Sequence, residues 1–273
     1  MRLYTVCLTL VLLTAIPCAA GPGCKPAGFF DQLPRPPGDF SRLIEKAQGG
    51  DPNAQFQAGL AYETGAGAEQ DYIAAAGWYT KAADHGNPGA QNNLGGLYSR
   101  GLGVQRDDAA AMKWYLRAAV EGYVAAENNV GTMYANGRGV AQSSEAAVSW
   151  YRRAAARGYP AAENNLGFMY ANGRGVPADA KEAVKWYRKA AKGGYAPAEF
   201  NLGLMYLRGA GVLQRRSEAV RWFRQAAEHG LAEARHYLDV FETMQMHAGF
   251  PGADPPSLSG SAIHGGAPME AAQ

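Results

Sequence analysis

The side chains of this chain that could do acid–base or metal chemistry are few and far apart. Its five histidines are His85, His229, His236, His247 and His264. The closest pair on one helical pattern, His229 and His236, is seven residues apart and straddles Gly230. Neither HExxH nor CxxC occurs, so no short motif assembles a metal site. S-x-x-K, the spacing of a serine nucleophile with its lysine, is also missing, and no P-loop occurs. His85 and His229 both stand just before a helix-ending glycine, where an imidazole suits the negative end of the helix dipole. The residues therefore suggest a protein that is not an enzyme, with no catalytic residue, no metal and no cofactor.

What remains is hydrogen bonding and shape. Asn92, Asn128 and Asn164 recur at one step, continued by Phe200 and preceded by Phe56. One helical turn on lie Phe168 and Leu204, and a further turn on lie Arg100, Asn136, Asn172 and Arg208. An asparagine row can bond a peptide backbone in both directions, because the amide both donates and accepts. Phe168, Phe200 and Leu204 would add an apolar pocket. These ten residues are the candidate partner-binding set; the alternative is that they are helix-packing or solvated positions. The next row, Asn93, Asn129, Asn165 and Asn201, is nearly invariant between copies, which points to hydrogen bonds between layers. Glu127, Glu163 and Glu199 form an acidic row that the dipole of a helix start explains. Lys81, Arg117, Arg153 and Lys189, with Arg152, Arg188, Arg221 and Arg224, form basic rows that suit either a solvated outer face or an acidic partner.

The elements that place these rows follow from one period. Tyr62, Tyr98, Tyr134, Tyr170 and Tyr206 are spaced by 36 residues, as are Trp78, Trp114, Trp150, Trp186 and Trp222. Such a period is the mark of a stacked repeat architecture. In the fourth copy, Ala162, Leu166, Met169 and Tyr170 share one helical face, which predicts a helix over about Ala161 to Ala171. Gly173-Arg174-Gly175-Val176 is the corner, where two glycines supply positive φ and Val176 tucks back as an apolar plug. A second helix runs from near Asp179 to Lys192, with Ala183, Trp186, Tyr187, Ala190 and Ala191 on its apolar face, and Gly194 closes it. Gly167, inside the first helix, costs roughly 1 kcal/mol relative to alanine. Its recurrence in all five copies predicts close approach of a neighbouring backbone. One helix pair cannot bury a tryptophan and two tyrosines; a stack can.

The pattern LGxMYxxGxGV followed by WYxKAA, at this spacing, resembles the Sel1-like repeat, a relative of the tetratricopeptide repeat. The resemblance covers residues 51–230 and implies an all-α, right-handed solenoid of five helix-turn-helix repeats with a capping helix at each end. It implies a scaffold or adaptor that binds a protein or peptide partner on its concave face. The first copy departs most: Ala58 and Ala61 replace larger residues, and the corner Gly65-Ala66-Gly67-Ala68 lacks the valine. Some cysteine-rich members of this family are associated with penicillin binding or β-lactamase-like activity and carry two cysteines per repeat. The repeats here carry none, so an alternative role in cell-wall or β-lactam chemistry is disfavoured.

The ends complete the organisation. Residues 1–20 read as a secretory signal peptide, with Arg2, an apolar run from Val6 to Ile16, and Cys18-Ala19-Ala20 before the cut. That run is short for a membrane span, so no transmembrane segment is expected in the mature chain. No lipid anchor is expected either, because Pro17 spoils the residues before Cys18 and Cys24 is preceded by only a matching Gly23. Cys24 would be the one cysteine left, a surface thiol or an intermolecular bridge. Residues 21–38 form a Pro/Gly-rich leader, 39–50 an N-terminal cap helix, 231–246 a C-terminal cap helix, and 247–273 a disordered tail. The expected location is the bacterial periplasm, or alternatively outside the cell. The formal charge of +2 gives no global attraction to nucleic acid.

Overall fold

The computed structural model describes residues 37–247; the signal-peptide, leader and tail readings fall on residues outside this range, apart from Pro37, Gly38 and His247. Among the described residues there are twelve α-helices and no strand. A first helix, α1 (Pro37–Gln48), precedes five helix pairs. The pairs are α2 (Pro52–Thr64) with α3 (Tyr72–Asp84), α4 (Pro88–Arg100) with α5 (Asp108–Val120), and α6 (Val124–Asn136) with α7 (Ser144–Ala156). They continue as α8 (Pro160–Asn172) with α9 (Ala180–Lys192), and α10 (Ala196–Arg208) with α11 (Arg216–Glu228); α12 (Ala232–His247) follows. Each helix packs mainly on its neighbours in sequence.

The fourth pair shows how the sequence sets these limits. Pro160 opens α8 in its first turn, where a missing N–H costs nothing. Gly173 ends it at φ 64°, and its N–H returns to the Met169 carbonyl. Asp179 caps α9 by accepting from the Glu182 N–H at 2.9 Å. At the far end Gly194, at φ 75°, donates to the Ala191 carbonyl, and the Tyr195 N–H reaches back to Ala190.

The core lies between layers. Ala147, Val148, Tyr151, Ala154 and Ala155 of α7 bury themselves against Ala162, Leu166 and Met169 of α8, with Val176 packed at the edge. The same arrangement joins α3 to α4, α5 to α6, and α9 to α10. A fully buried leucine such as Leu166 contributes about 1.5–3 kcal/mol, and here that gain requires the preceding repeat to be present.

The recurrent helix glycine has a different partner from the one its sequence suggests. A Cβ at Gly167 would lie 2.8 Å from two ring carbons of Tyr187, so this glycine seats an aromatic ring from its own repeat. Gly131 does the same for Tyr151, at 2.7 Å. Close approach of a neighbouring repeat's backbone occurs instead at the second corner glycine. A side chain on Gly175, at φ 69°, would overlap the Ser144 and Glu145 backbone of the preceding α7.

Candidate functional site

The ten candidate binding residues divide into two groups. Asn92, Asn128 and Asn164 are buried, as are Phe200 and Leu204. They do not line an open face, which corrects the expectation drawn from their spacing. The reason is the Asn row beside them. Asn129 donates its Nδ2 to Asn92 Oδ1 at 3.0 Å, Asn165 to Asn128 at 3.0 Å, and Asn201 to Asn164 at 2.9 Å. Two rows that looked separate in sequence are the two halves of one amide ladder between successive layers. A buried amide is tolerated because its partner sits one layer away. Asn93, the first of its row, instead donates to the Tyr79 hydroxyl at 3.1 Å.

Phe200 and Leu204 belong to the C-terminal core. The Phe200 ring lies 5.3 Å from that of Phe223 and 5.2 Å from that of Tyr237 in α12. Where the second, third and fourth layers carry an asparagine, the last layer carries the phenylalanine that receives the final helix.

The second group reaches the surface. Arg100, Asn136, Asn172 and Arg208 are exposed, and each is the last residue of a first helix. Asn172 uses its Nδ2 on the Phe168 carbonyl at 2.9 Å, and its amide oxygen points away from that bond. Phe168 is half-buried, with the Arg174 guanidinium 5.8 Å from its ring centre. Arg100 donates to Glu63 at 3.1 Å, one layer back. The structure thus brings together one row of polar ends with a half-buried aromatic beside it.

Several residues do more than sequence reasoning assigned to them. Glu127, Glu163 and Glu199 are buried, so the dipole accounts for only part of their environment. Glu127 pairs with Arg153 at 3.0 Å. Burial raises the carboxyl of Glu163 above its ordinary pKa, and the charge of Lys189 partly offsets this. Gln225 occupies the matching basic position in the fifth repeat, and Glu199 there meets His229 Nδ1 at 2.8 Å. His85 keeps the simpler helix-end role, with Nδ1 2.9 Å from the Lys81 carbonyl. The signal for these pairs was present in sequence as an acid in the first helix and a base 26 positions later, Glu127 with Arg153 and Glu163 with Lys189.

The basic row has a structural use as well. Lys81, Arg117, Arg153 and Lys189 lie over the rings of Trp78, Trp114, Trp150 and Trp186, at 4.2, 4.6, 4.4 and 4.0 Å. Their charged groups cover the half-buried indoles as cation–π contacts. The corner arginines tie layers together. Arg138 donates to the Ser99 carbonyl at 2.9 Å, to its hydroxyl at 2.8 Å, and to Asp108 at 2.7 Å. The Arg138 hydrogen bond, more than any other influence, holds the Asp108 carboxyl below its usual range.

Among the described residues, no group of three or more His, Cys, Asp or Glu side chains converges as a metal site would require. No helix there is long and apolar enough to cross a membrane.

The chain is similar to two solved structures that share this geometry. One, a protective antigen of uropathogenic Escherichia coli with an SLR fold, is 36% identical over 78% of this chain, with a TM-score of 0.67. This chain spans 45% of that antigen's length. The other, a Sel1 repeat protein from Oxalobacter formigenes, is 30% identical over 80% of this chain and 86% of its own, with a TM-score of 0.71. No curated protein matches the chain. The family model of the Sel1 repeat matches five times, at residues 52–87, 88–123, 124–159, 160–195 and 196–231. Sel1 repeat proteins generally mediate protein–protein interaction. With five consecutive matches on five observed helix pairs, this chain belongs to the Sel1 repeat family.

Proposed function

We propose that this protein is an exported scaffold or adaptor that holds a peptide or protein partner on the face formed by the ends of its first helices. Superhelical stacks of helix pairs commonly seat extended segments in a concave groove, which supports this reading. The observation that carries the reading is the exposed row Arg100, Asn136, Asn172 and Arg208, one residue per layer in four successive layers. Amides at the centre suit a peptide backbone, and arginines at either end suit carboxylates. Phe168 offers an apolar contact beside Asn172. Export rests on the reading of residues 1–20 and places the protein in the periplasm or outside the cell.

The test replaces Asn136 and Asn172 with alanine in the full chain and measures partner capture in the producing cell's envelope fraction. Loss of a specific partner with an unchanged melting temperature is the expected result. Retained capture would contradict the site, and a chain found only in the cytoplasm would contradict export.

A further inference from the structure

We infer that the exposed stripe of the C-terminal second helices is a separate docking surface for an acidic protein segment. Every second helix turns one stripe outward, at i, i+4, i+7 and i+11, exposed or half-buried, because its other faces are spent on its own repeat and the next. Stacking does not constrain this stripe, so its composition is free to serve a partner. On α9 it reads Lys181, Lys185, Arg188 and Lys192, all exposed. The Arg188 column continues through exposed Arg224 on α11 and exposed Arg152 on α7, although those helices also carry Glu228 and Glu145 in the stripe. The equivalent positions are Ile73, Gly77, Thr80 and Asp84 on α3, and Ala109, Lys113, Leu116 and Val120 on α5. The basic charge of the outer stripe is therefore concentrated on α9, since no other second helix carries more than two bases there. Uniform solubility would not require this.

Two of the cations are held in place. Arg152 donates to the Tyr170 hydroxyl at 2.8 Å, and Arg188 makes the same bond to Tyr206, also at 2.8 Å. Successive layers thus present exposed guanidinium groups at a fixed repeat, and a fixed fork loses less entropy on binding a carboxylate. Lys181, Lys192 and Arg224 have no carboxylate partner among the described residues. Glu182 is the one acid on α9, against five bases.

The chemistry favours a protein over other polyanions. Among the described residues the large exposed hydrophobics are Ile73, Val120 and Leu213, none of them on α9, so its basic stripe offers no large apolar side chain to insert into a bilayer. It also offers no open ring for base stacking, because Trp186 and Trp222 are half-buried beneath Lys189 and Arg221. A carboxylate-rich segment needs neither.

The experiment uses the full chain and a fluorescein-labelled oligoglutamate peptide, followed by anisotropy at low and physiological salt. Phosphatidylserine vesicles and single-stranded DNA serve as competitors. The peptide should bind, and salt should weaken it. The triple variant Lys181→Glu, Lys185→Glu, Lys192→Glu should lose about tenfold or more in affinity, as expected for reversal of complementary charge. Arg42→Ala with Lys46→Ala, at exposed positions of α1 at the other end of the stack, should leave it unchanged. If the triple variant does not fold by circular dichroism, Lys181→Gln with Lys192→Gln should give a smaller loss in the same direction. Absent peptide binding, equal loss in the α1 variant, or preferential capture by vesicles or DNA would overturn the inference, leaving the first-helix site untouched.

Discussion

Asn165 donates its side-chain amide to the Asn128 carbonyl oxygen at 3.0 Å, across the boundary between the third and fourth repeats. Asn128 is buried and Asn165 half-buried, so this bond replaces the solvation that the Asn128 amide lost. The ladder is part of what stacks the repeats, and its members are structural before anything else.

Replacing Asn128 with alanine should therefore destabilise the fold. It strands the amide of Asn165 and leaves a void, at a cost of about 1–3 kcal/mol. Urea unfolding of the single variant measures this. Unchanged stability with lost partner binding would return Asn128 to the groove.

Gly167→Val should cost about 1–3 kcal/mol, because the added carbons meet the Tyr187 ring and force one of the two aside. Pairing it with Tyr187→Leu should recover part of the loss. An unaltered melting temperature in the single variant would mean that the ring moves freely, against its burial between layers.

Two carboxylates should respond to acid with opposite signs. The Asp108 pKa is lowered in the fold, so its ion pair with Arg138 stabilises above the unfolded value of about 3.9 and is lost as pH falls through the lower folded value. Asp108→Asn should be less stable than the parent at neutral pH, with the gap closing in strong acid. The Glu163 pKa is raised, so ionising it in the fold costs stability as pH rises from the unfolded value of about 4.3 through the folded one. Glu163→Gln should match or exceed the parent at neutral pH, and that advantage should vanish below about pH 4. Thermal melts across this range check both signs.

The fold was legible in the sequence because stacking imposes the same demands on every copy. Tryptophan, tyrosine and glycine columns repeat without a gap, and the observed helices α8 and α9 lie within a residue or so of the limits drawn from one copy. The site was less legible. Spacing places Asn128 and Asn136 on one helix face, but only the layer packed on top decides that Asn128 is covered and Asn136 is not. Gly167 announced a close contact without naming its partner, since a ring and a backbone both require the absence of a Cβ. The Glu127–Arg153 pair was written in the sequence as two rows, and only the fold shows that they meet.

The measurement that tests the central claim most directly is site-specific photocrosslinking in the producing cell. A photoreactive residue would replace Asn172 at the end of a first helix, and another would replace Lys113 on the exposed side of α5 as a control. The account predicts a discrete protein adduct from Asn172 that Arg208→Ala weakens, and none from Lys113. An adduct from Lys113 alone, or none from Asn172 while the partner still co-purifies, would contradict it.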